Sequence, residues 1–317
     1  MKSLLKIILK TKNEEFLLES WLKYYIALVG IENIIVLDHK SDCSIVLNLY
    51  KKYKVNVIQI PEYVENPDWV HHAWVKQNKE FLKQSCHFYT ILDTDEFLCF
   101  FDYESNRIDN SKLLPFLSRN KEEYGFTTTW IFNHYYGKDY EKIEDVTDFN
   151  YNIIKQYAEC GKGIVNSNID VGTVGHNTSI IREIKDENIK IKFCPEFYLL
   201  HLQRINFKFR FQNMVYRAKA KNKIKSNSND ELIEIIKNKD VKSLNYQEQY
   251  VLFYSLNKEA FLKKYISSHS NSEQLFRTNL LKNFPLNQEY FTEFSNIKTD
   301  DKKTFILNLF KHLNVKF

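Results

Sequence analysis

The sequence predicts an α/β protein built on a parallel sheet, and three observations carry that prediction. Strand-like and helix-like segments alternate through the first ninety or so residues, as right-handed βαβ crossovers require. Apolar runs short enough for strands are separated by stretches with helical spacing. Polar and charged residues gather just after the strand-like runs, which is where such a sheet presents a ligand crevice.

The first strand is read at Lys6-Ile7-Ile8-Leu9. From Glu14 to Val29, Phe16, Leu17, Trp21, Tyr24, Tyr25 and Leu28 recur at helical spacing, and Gly30 stops the helix. Asn33-Ile34-Ile35-Val36-Leu37 makes a second strand that ends at Asp38. Ser41 and Asp42 offer an N-cap for a helix through Tyr53, and a third strand follows from Val55 to Ile60. Trp69 to Ser85 reads as one helix and His87 to Leu92 as a fourth strand. The strand ends carry Thr11-Lys12-Asn13-Glu14, Asp38-His39-Lys40-Ser41-Asp42 and Asp93-Thr94-Asp95-Glu96. No G-x-G-x-x-G follows the first strand and no G-x-x-x-x-G-K-[ST] occurs, which excludes a dinucleotide fingerprint and a P-loop.

Beyond Glu96 the alternation lapses. Phe126 to Phe132 is strand-like, and Asn133-His134-Tyr135-Tyr136-Gly137 reads as a loop. Four of the seven glycines, Gly161, Gly163, Gly172 and Gly175, fall in two short stretches. Concentrating a scarce residue there implies backbone approached closely by a ligand or another strand. After about residue 215 the pattern turns helical and polar, so the predicted division is an α/β domain over 1–220 and a helical extension over 221–317.

At 317 residues and 44% apolar content the chain can bury a sizeable core. No run approaches eighteen apolar residues, and the lysine-interrupted start reads as a strand, not a signal peptide. Five irregularly spaced cysteines show no disulfide framework and no C-x-x-C metal clip. Reduced thiols and a cytoplasmic location are the expectation. The net charge is +5, but Arg204 to Lys225 holds eight basic residues and no acidic one. A diphosphate, an anionic membrane surface and nucleic acid compete as its partner, beside a solvated helix face. Nucleic acid ranks last and is not expected, because Phe207, Phe209, Phe211 and Tyr216 suit a helix packing face better than a base-stacking sheet.

Asp93-Thr94-Asp95 is the most informative motif. In extended chain the two carboxylates point the same way. They would then converge on one Mg²⁺ or Mn²⁺, whose remaining positions go to water and phosphate oxygens. The plain alternative is a solvated acidic turn.

Together these segments resemble a known family. Lys12-Asn13-Glu14, Trp21-Leu22-Lys23-Tyr24-Tyr25, the run from Gly30 to Asp38 with Ser41-Asp42, and Asp93 to Leu98 resemble the GT-A glycosyltransferases of the family 2-like and family 92 group. Trp130-Ile131-Phe132, Gly161-Lys162-Gly163-Ile164-Val165, His176, and His201 followed by a basic stretch agree with it. The resemblance spans about residues 5–220. It implies a GT-A fold and a metal-dependent, inverting transfer of a sugar from a nucleotide-diphosphate donor, a UDP-sugar first among them. The acceptor would be a hydroxyl of a cell-surface glycan or lipid-linked molecule, such as a bacterial surface polysaccharide. Carried over by position, Asp38 would read the base, and Lys12, Asn13 and Glu14 would form the nucleotide floor. Asp93 and Asp95 would hold Mn²⁺ or Mg²⁺ with His201 as a further ligand. The sequence departs from the family pattern at Leu202, where Tyr is usual, and at His39-Lys40, where an Asn is common.

Arg204, with Lys208 and Arg210 beside His201, would meet charge developing on the leaving diphosphate. Inversion needs a general base. Asp170, Glu96 and His176 are the candidates; Asp170 is preferred for its glycine-rich surroundings, and Glu96 has a second role open to it as a brace for the metal loop. The protein would be cytoplasmic, either free or peripheral on the inner face of the membrane through its basic segment. Two further readings stay open: a nucleotidyltransferase or Mg²⁺-dependent phosphohydrolase, and a non-catalytic glycan- or membrane-binding shell of the same fold.

Overall fold

The computed structural model describes residues 2–61, 69–102, 104–105, 107–132, 161–170, 189, 191–202 and the isolated positions 230, 234 and 238. The elements run β1 (Ser3–Thr11), α1 (Leu18–Val29), β2 (Ile34–Asp38), α2 (Ser44–Tyr53), β3 (Asn56–Gln59), α3 (Trp69–Gln77), α4 (Lys79–Ser85) and β4 (Cys86–Leu92). Then follow β5 (Glu96–Asp102), β6 (Arg107–Ile108), α5 (Leu113–Arg119), β7 (Gly125–Phe132), β8 (Gly163–Asn166) and β9 (Lys192–His201). The helical extension apart from those three positions, the basic segment 204–225 and the loop 133–137 lie outside the described residues.

Helices flank a sheet of order β3-β2-β1-β4-β8-β7-β9-β5-β6. The half that the sequence predicts, β3-β2-β1-β4, is parallel throughout. The other half is mixed: β8 is antiparallel to β4 and β7, β9 is parallel to β7, and β5 is antiparallel to β9. This is an α/β architecture compatible with a Rossmann-like fold. No helix among the described residues is long and apolar enough to cross a membrane.

Strand alternation sorts the core into two layers. Leu5, Ile7 and Leu9 of β1, Ile34 and Val36 of β2, and Phe88 and Leu92 of β4 pack with Trp21, Leu22 and Tyr25 of α1 and Leu113 and Leu117 of α5. Ile8, Ile35, Leu37, Tyr89 and Ile91 point the other way, against Trp74, Val75 and Leu82 of α3 and α4. Each large apolar side chain so enclosed contributes about 1.5–3 kcal/mol. Gly30 ends α1 as predicted: it sits at φ 84°, in the half of conformational space that favours glycine, and its N–H returns to Ile26 O at 3.0 Å.

Several elements differ from the sequence-based expectation. The helix expected over 69–85 is two, separated at Asn78, whose side chain donates to Trp74 O at 2.9 Å. β5 and β9 are strands that the lapse in alternation conceals; Glu96 to Asp102 is buried on both faces, so no period of two appears. α5 tolerates Pro115 because it falls in the first turn, where no N–H partner is needed.

β5 also shows how this sheet manages an edge. β6 pairs only with Phe101 and Asp102, so earlier β5 backbone groups facing away from β9 need other partners. The Tyr25 hydroxyl accepts from Leu98 N at 2.7 Å and donates to Glu96 O at 3.1 Å. The Tyr24 hydroxyl donates to Leu98 O. Asn110 Oδ1 accepts from Phe100 N at 2.9 Å, and Asp109 N donates to Phe100 O at 2.9 Å. Tyr25→Phe would strand a buried N–H and a buried carbonyl while leaving the ring packing intact. The expected loss is about 1–3 kcal/mol, read as a lower urea midpoint at unchanged slope; an unaltered midpoint would show that the hydroxyl contributes nothing to the edge.

Candidate functional site

The sheet order sets the location of the site. From β1 the chain steps outward through β2 and β3, then returns to place β4 on the other side of β1. The carboxyl ends of β1 and β4 therefore flank a topological switch point, where open α/β sheets bind ligands. Lys10 and Asp93 meet there, Nζ to Oδ1 at 3.3 Å.

The acidic motif does not stay extended. Glu96 N donates to Asp93 O at 3.1 Å, closing a turn over Asp93-Thr94-Asp95-Glu96 before β5 begins. The same-side projection expected of Asp93 and Asp95 depended on extended backbone, and the turn sends them to different partners. Asp93 meets two lysines: Lys10, and Lys162 with Nζ at 3.1 Å from its Oδ2. Asp95 meets His201, Oδ2 to Nε2 at 3.3 Å, and its carbonyl accepts from Leu202 N at 2.7 Å. His201 arrives because β9 pairs with β5 in a register that sets it opposite Glu96.

Behind the turn Glu96 is wholly enclosed. Its Oε2 accepts from Asp93 N at 2.8 Å and lies 3.5 Å from Lys162 Nζ, while Oε1 has no hydrogen-bond partner. Burial pushes this carboxyl up to about 7, with Asp93 and Asp95 adding to the rise and Lys162 and His201 opposing it. Burial works against the Lys162 ammonium, but Asp93 and Glu96 outweigh it and raise its pKa.

Lys162 is the residue that sequence reading passed over. Its side chain is 3% exposed, and its backbone is clamped to β7: Thr128 N and Oγ1 donate to Lys162 O, and Lys162 N donates to Thr128 Oγ1. The clamp needs Gly161, where a Cβ would stand 1.9 Å from Thr128 O. The close approach expected around the glycines is thus, at Gly161, an approach of β7. A lysine between two glycines at the head of an apolar run was the one available signal for this position.

The predicted metal triad is only partly assembled. Among the described residues no group of three or more His, Cys, Asp or Glu is arranged to hold a metal ion, and a lysine stands against each Asp93 oxygen. The Asp95–His201 pair nonetheless fits such an ion: neighbouring octahedral ligands at roughly 2.1 Å from a metal stand about 3.0 Å apart.

The remaining rim is closed by hydrogen bonds. Asp38, expected to read a base, is fully buried. Its oxygens accept from Ser41 N at 3.0 Å, Ser41 Oγ at 2.5 Å, Gln59 Nε2 at 2.8 Å and Tyr50 Oη at 3.3 Å. That geometry makes it the organiser of its loop instead of a group open to a nucleotide. Asn13, at φ 51°, is likewise committed: Oδ1 accepts from Asp42 N and Cys43 N, both at 3.0 Å, and Nδ2 donates to Asp42 at 2.7 Å. The cap expected of Ser41 or Asp42 does not form: α2 starts at Ser44 with Cys43 at the N-cap position and no side-chain cap hydrogen bond, and Asn13 ties down the two residues before it. Lys12 and Glu14 flank it, half-buried. Burial pulls the neighbouring His39 below its usual pKa, against the Pro61 carbonyl that raises it.

Asp170 is 80% exposed, and its carboxylate is paired with Lys79 at 2.8 Å. Glu96, enclosed behind the turn, braces it by accepting from Asp93 N. His176 and Arg204 lie outside the described residues.

Comparison with family models of known proteins gives no match, and no curated protein matches the chain.

Two outcomes follow from this geometry. Because the Glu96 pKa is raised on folding, the folded chain holds a proton that the unfolded chain gives up. Its contribution is therefore present below about pH 4.5 and lost as pH rises through about 7. Urea unfolding of the metal-free protein between pH 5 and 8 should show that loss, up to about 3 kcal/mol. Glu96→Gln should lack it, and the difference isolates Glu96 from His39, whose lowered pKa acts in the opposite direction. Parallel pH profiles for the two proteins would refute the assignment. Separately, Gly161→Ala should lower stability by about 1–3 kcal/mol, measured as a fall in Tm; no fall would mean that the β7 clamp yields without cost.

Proposed function

We propose that the chain is a metal-dependent GT-A glycosyltransferase that moves a sugar from a nucleotide-diphosphate donor, a UDP-sugar first among candidates, to a hydroxyl acceptor. The observation that carries this reading is the turn Asp93–Glu96 at the switch point, with Asp95 against His201 and Asp93 against Lys10 and Lys162. The sequence resemblance leads to the same class. A departing nucleoside diphosphate accumulates negative charge, and groups aimed at that charge supply the largest catalytic term.

Asp95 and His201 would hold the divalent ion, which supplies Lewis-acid stabilisation of the leaving diphosphate. The chain's own residues do the rest. Lys10, 17% exposed at the end of β1, faces the crevice and offers a cation to phosphate oxygens. Lys162 and Glu96 fix the shape of the turn from behind. With Asp38 and Asn13 tied into the rim, the β1 and β2 loops form a preorganised wall that costs no reordering when donor binds.

UDP and Mn²⁺ together should raise Tm more than the sum of their separate effects. At a hundredfold excess over Kd the gain corresponds to about 2.7 kcal/mol. Asp95→Ala should abolish the joint shift and reduce sugar-nucleotide turnover by about two orders of magnitude or more. Saturating UDP with Mn²⁺ producing neither a shift nor a calorimetric heat would sink the proposal. Release of pyrophosphate from a nucleoside triphosphate would turn it towards nucleotidyl transfer instead.

A further inference from the structure

We infer that Lys162, assisted by Lys10, is the resident counter-cation of the acidic turn and makes divalent-cation binding conditional on a phosphate-bearing ligand. The inference deepens the preceding reading and rests on it, since it takes the turn to be the place where a donor's metal is held.

Asp93, Asp95 and Glu96 put three carboxylates into four residues. Left to themselves they would be an indiscriminate trap for hard dications. Two ammonium groups stand among them. Lys162 Nζ lies 3.1 Å from Asp93 and 3.5 Å from Glu96, and Lys10 Nζ lies 3.3 Å from the other Asp93 oxygen. At 3% exposure the Lys162 charge is weakly screened, so its repulsion of an incoming dication is large. Asp93 has a lysine against each oxygen. Asp95 and His201 meet each other at 3.3 Å, and two such ligands with water hold a dication poorly. Phosphate oxygens would complete the shell, so metal and diphosphate should enter together.

A second observation points the same way. Glu96 is completely buried and its Oε1 has no hydrogen-bond partner, so the lysine does not satisfy the carboxylates fully. Lys162 Nζ stands 3.5 Å from the other oxygen, Oε2, so the lysine holds the Glu96 carboxyl in place while Oε1 goes unmet. Lys162 is thus a positioning residue that sets the ligand count of the turn without touching substrate.

The experiment titrates Mn²⁺ alone into the full chain, with free Mn²⁺ followed by electron paramagnetic resonance and no nucleotide present. Wild type should bind weakly. Lys162→Met should bind Mn²⁺ about tenfold or more tightly, because repulsion is removed and Asp93 and Glu96 are released. Lys162→Arg, which keeps the charge, should behave as wild type. No gain in Lys162→Met, or an equal gain in Lys162→Arg, overturns the inference. If circular dichroism shows Lys162→Met unfolded, Lys10→Met takes its place with the same expected direction, and no gain there overturns it equally. Failure of wild type to bind UDP with Mn²⁺ would remove the sugar-transfer reading, and is distinct from any result obtained with metal alone.

Discussion

A single buried ammonium group, that of Lys162 between Asp93 and Glu96, is the constraint on which the candidate site depends. Moving a charge of this size out of water costs several kcal/mol even after relaxation, and removing one member of a buried pair typically costs about 3–5 kcal/mol. The cost is offset only when partners sit at hydrogen-bonding distance. Here they do so because the mixed half of the sheet sets β8 antiparallel to β4. Its first residues then stand at the carboxyl end of β4, beside the acidic turn. Thr128 and Gly161 fix the backbone there. Sheet topology and local charge are therefore one problem, since the turn keeps its shape only where β7 and β8 deliver the lysine.

The parallel half shows how local signals accumulate into a fold. Apolar runs of strand length alternate with helical periods, and each helix has a face that matches a layer of the sheet. These features are visible one segment at a time, so the order β1 to β4 was legible in the sequence. β5 and β9 were not, because strands buried on both faces lose the alternation that marks a strand. The long helix over 69–85 failed at Asn78, where a side chain bonds the preceding turn, a detail that apolar spacing does not encode.

The site was legible by place and misread in its contacts. Asp93, Asp95 and His201 do gather at one strand end, but a motif that assumes extended backbone says nothing of a turn. Lys162 is sixty-nine positions from Asp93, and no spacing rule links residues brought together by sheet pairing alone. Asp38 and Asn13 were conspicuous because they are polar residues at strand ends. That property is shared by residues that bind ligands and residues that close loops, and only the count of donors around each carboxylate or amide separates them.

The rim consequently has two chemically different parts. Around Asp38 and Asn13 each side-chain oxygen is already paired, so a ligand binding there must break hydrogen bonds worth about 1 kcal/mol each. Around the acidic turn three carboxylates face two ammonium groups, and one buried oxygen has no hydrogen-bond partner. Strand alternation gives the parts different addresses. Lys10 shares its face of β1 with Ile8, which packs towards α3 and α4, whereas Asp38 shares its face of β2 with Ile34 and Val36, towards α1 and α2. An uncharged portion of a ligand can rest against the paired wall without disturbing it. Its charged portion meets Lys10, Lys162 and the acidic turn between β1 and β4, where the charged side chains of this rim gather.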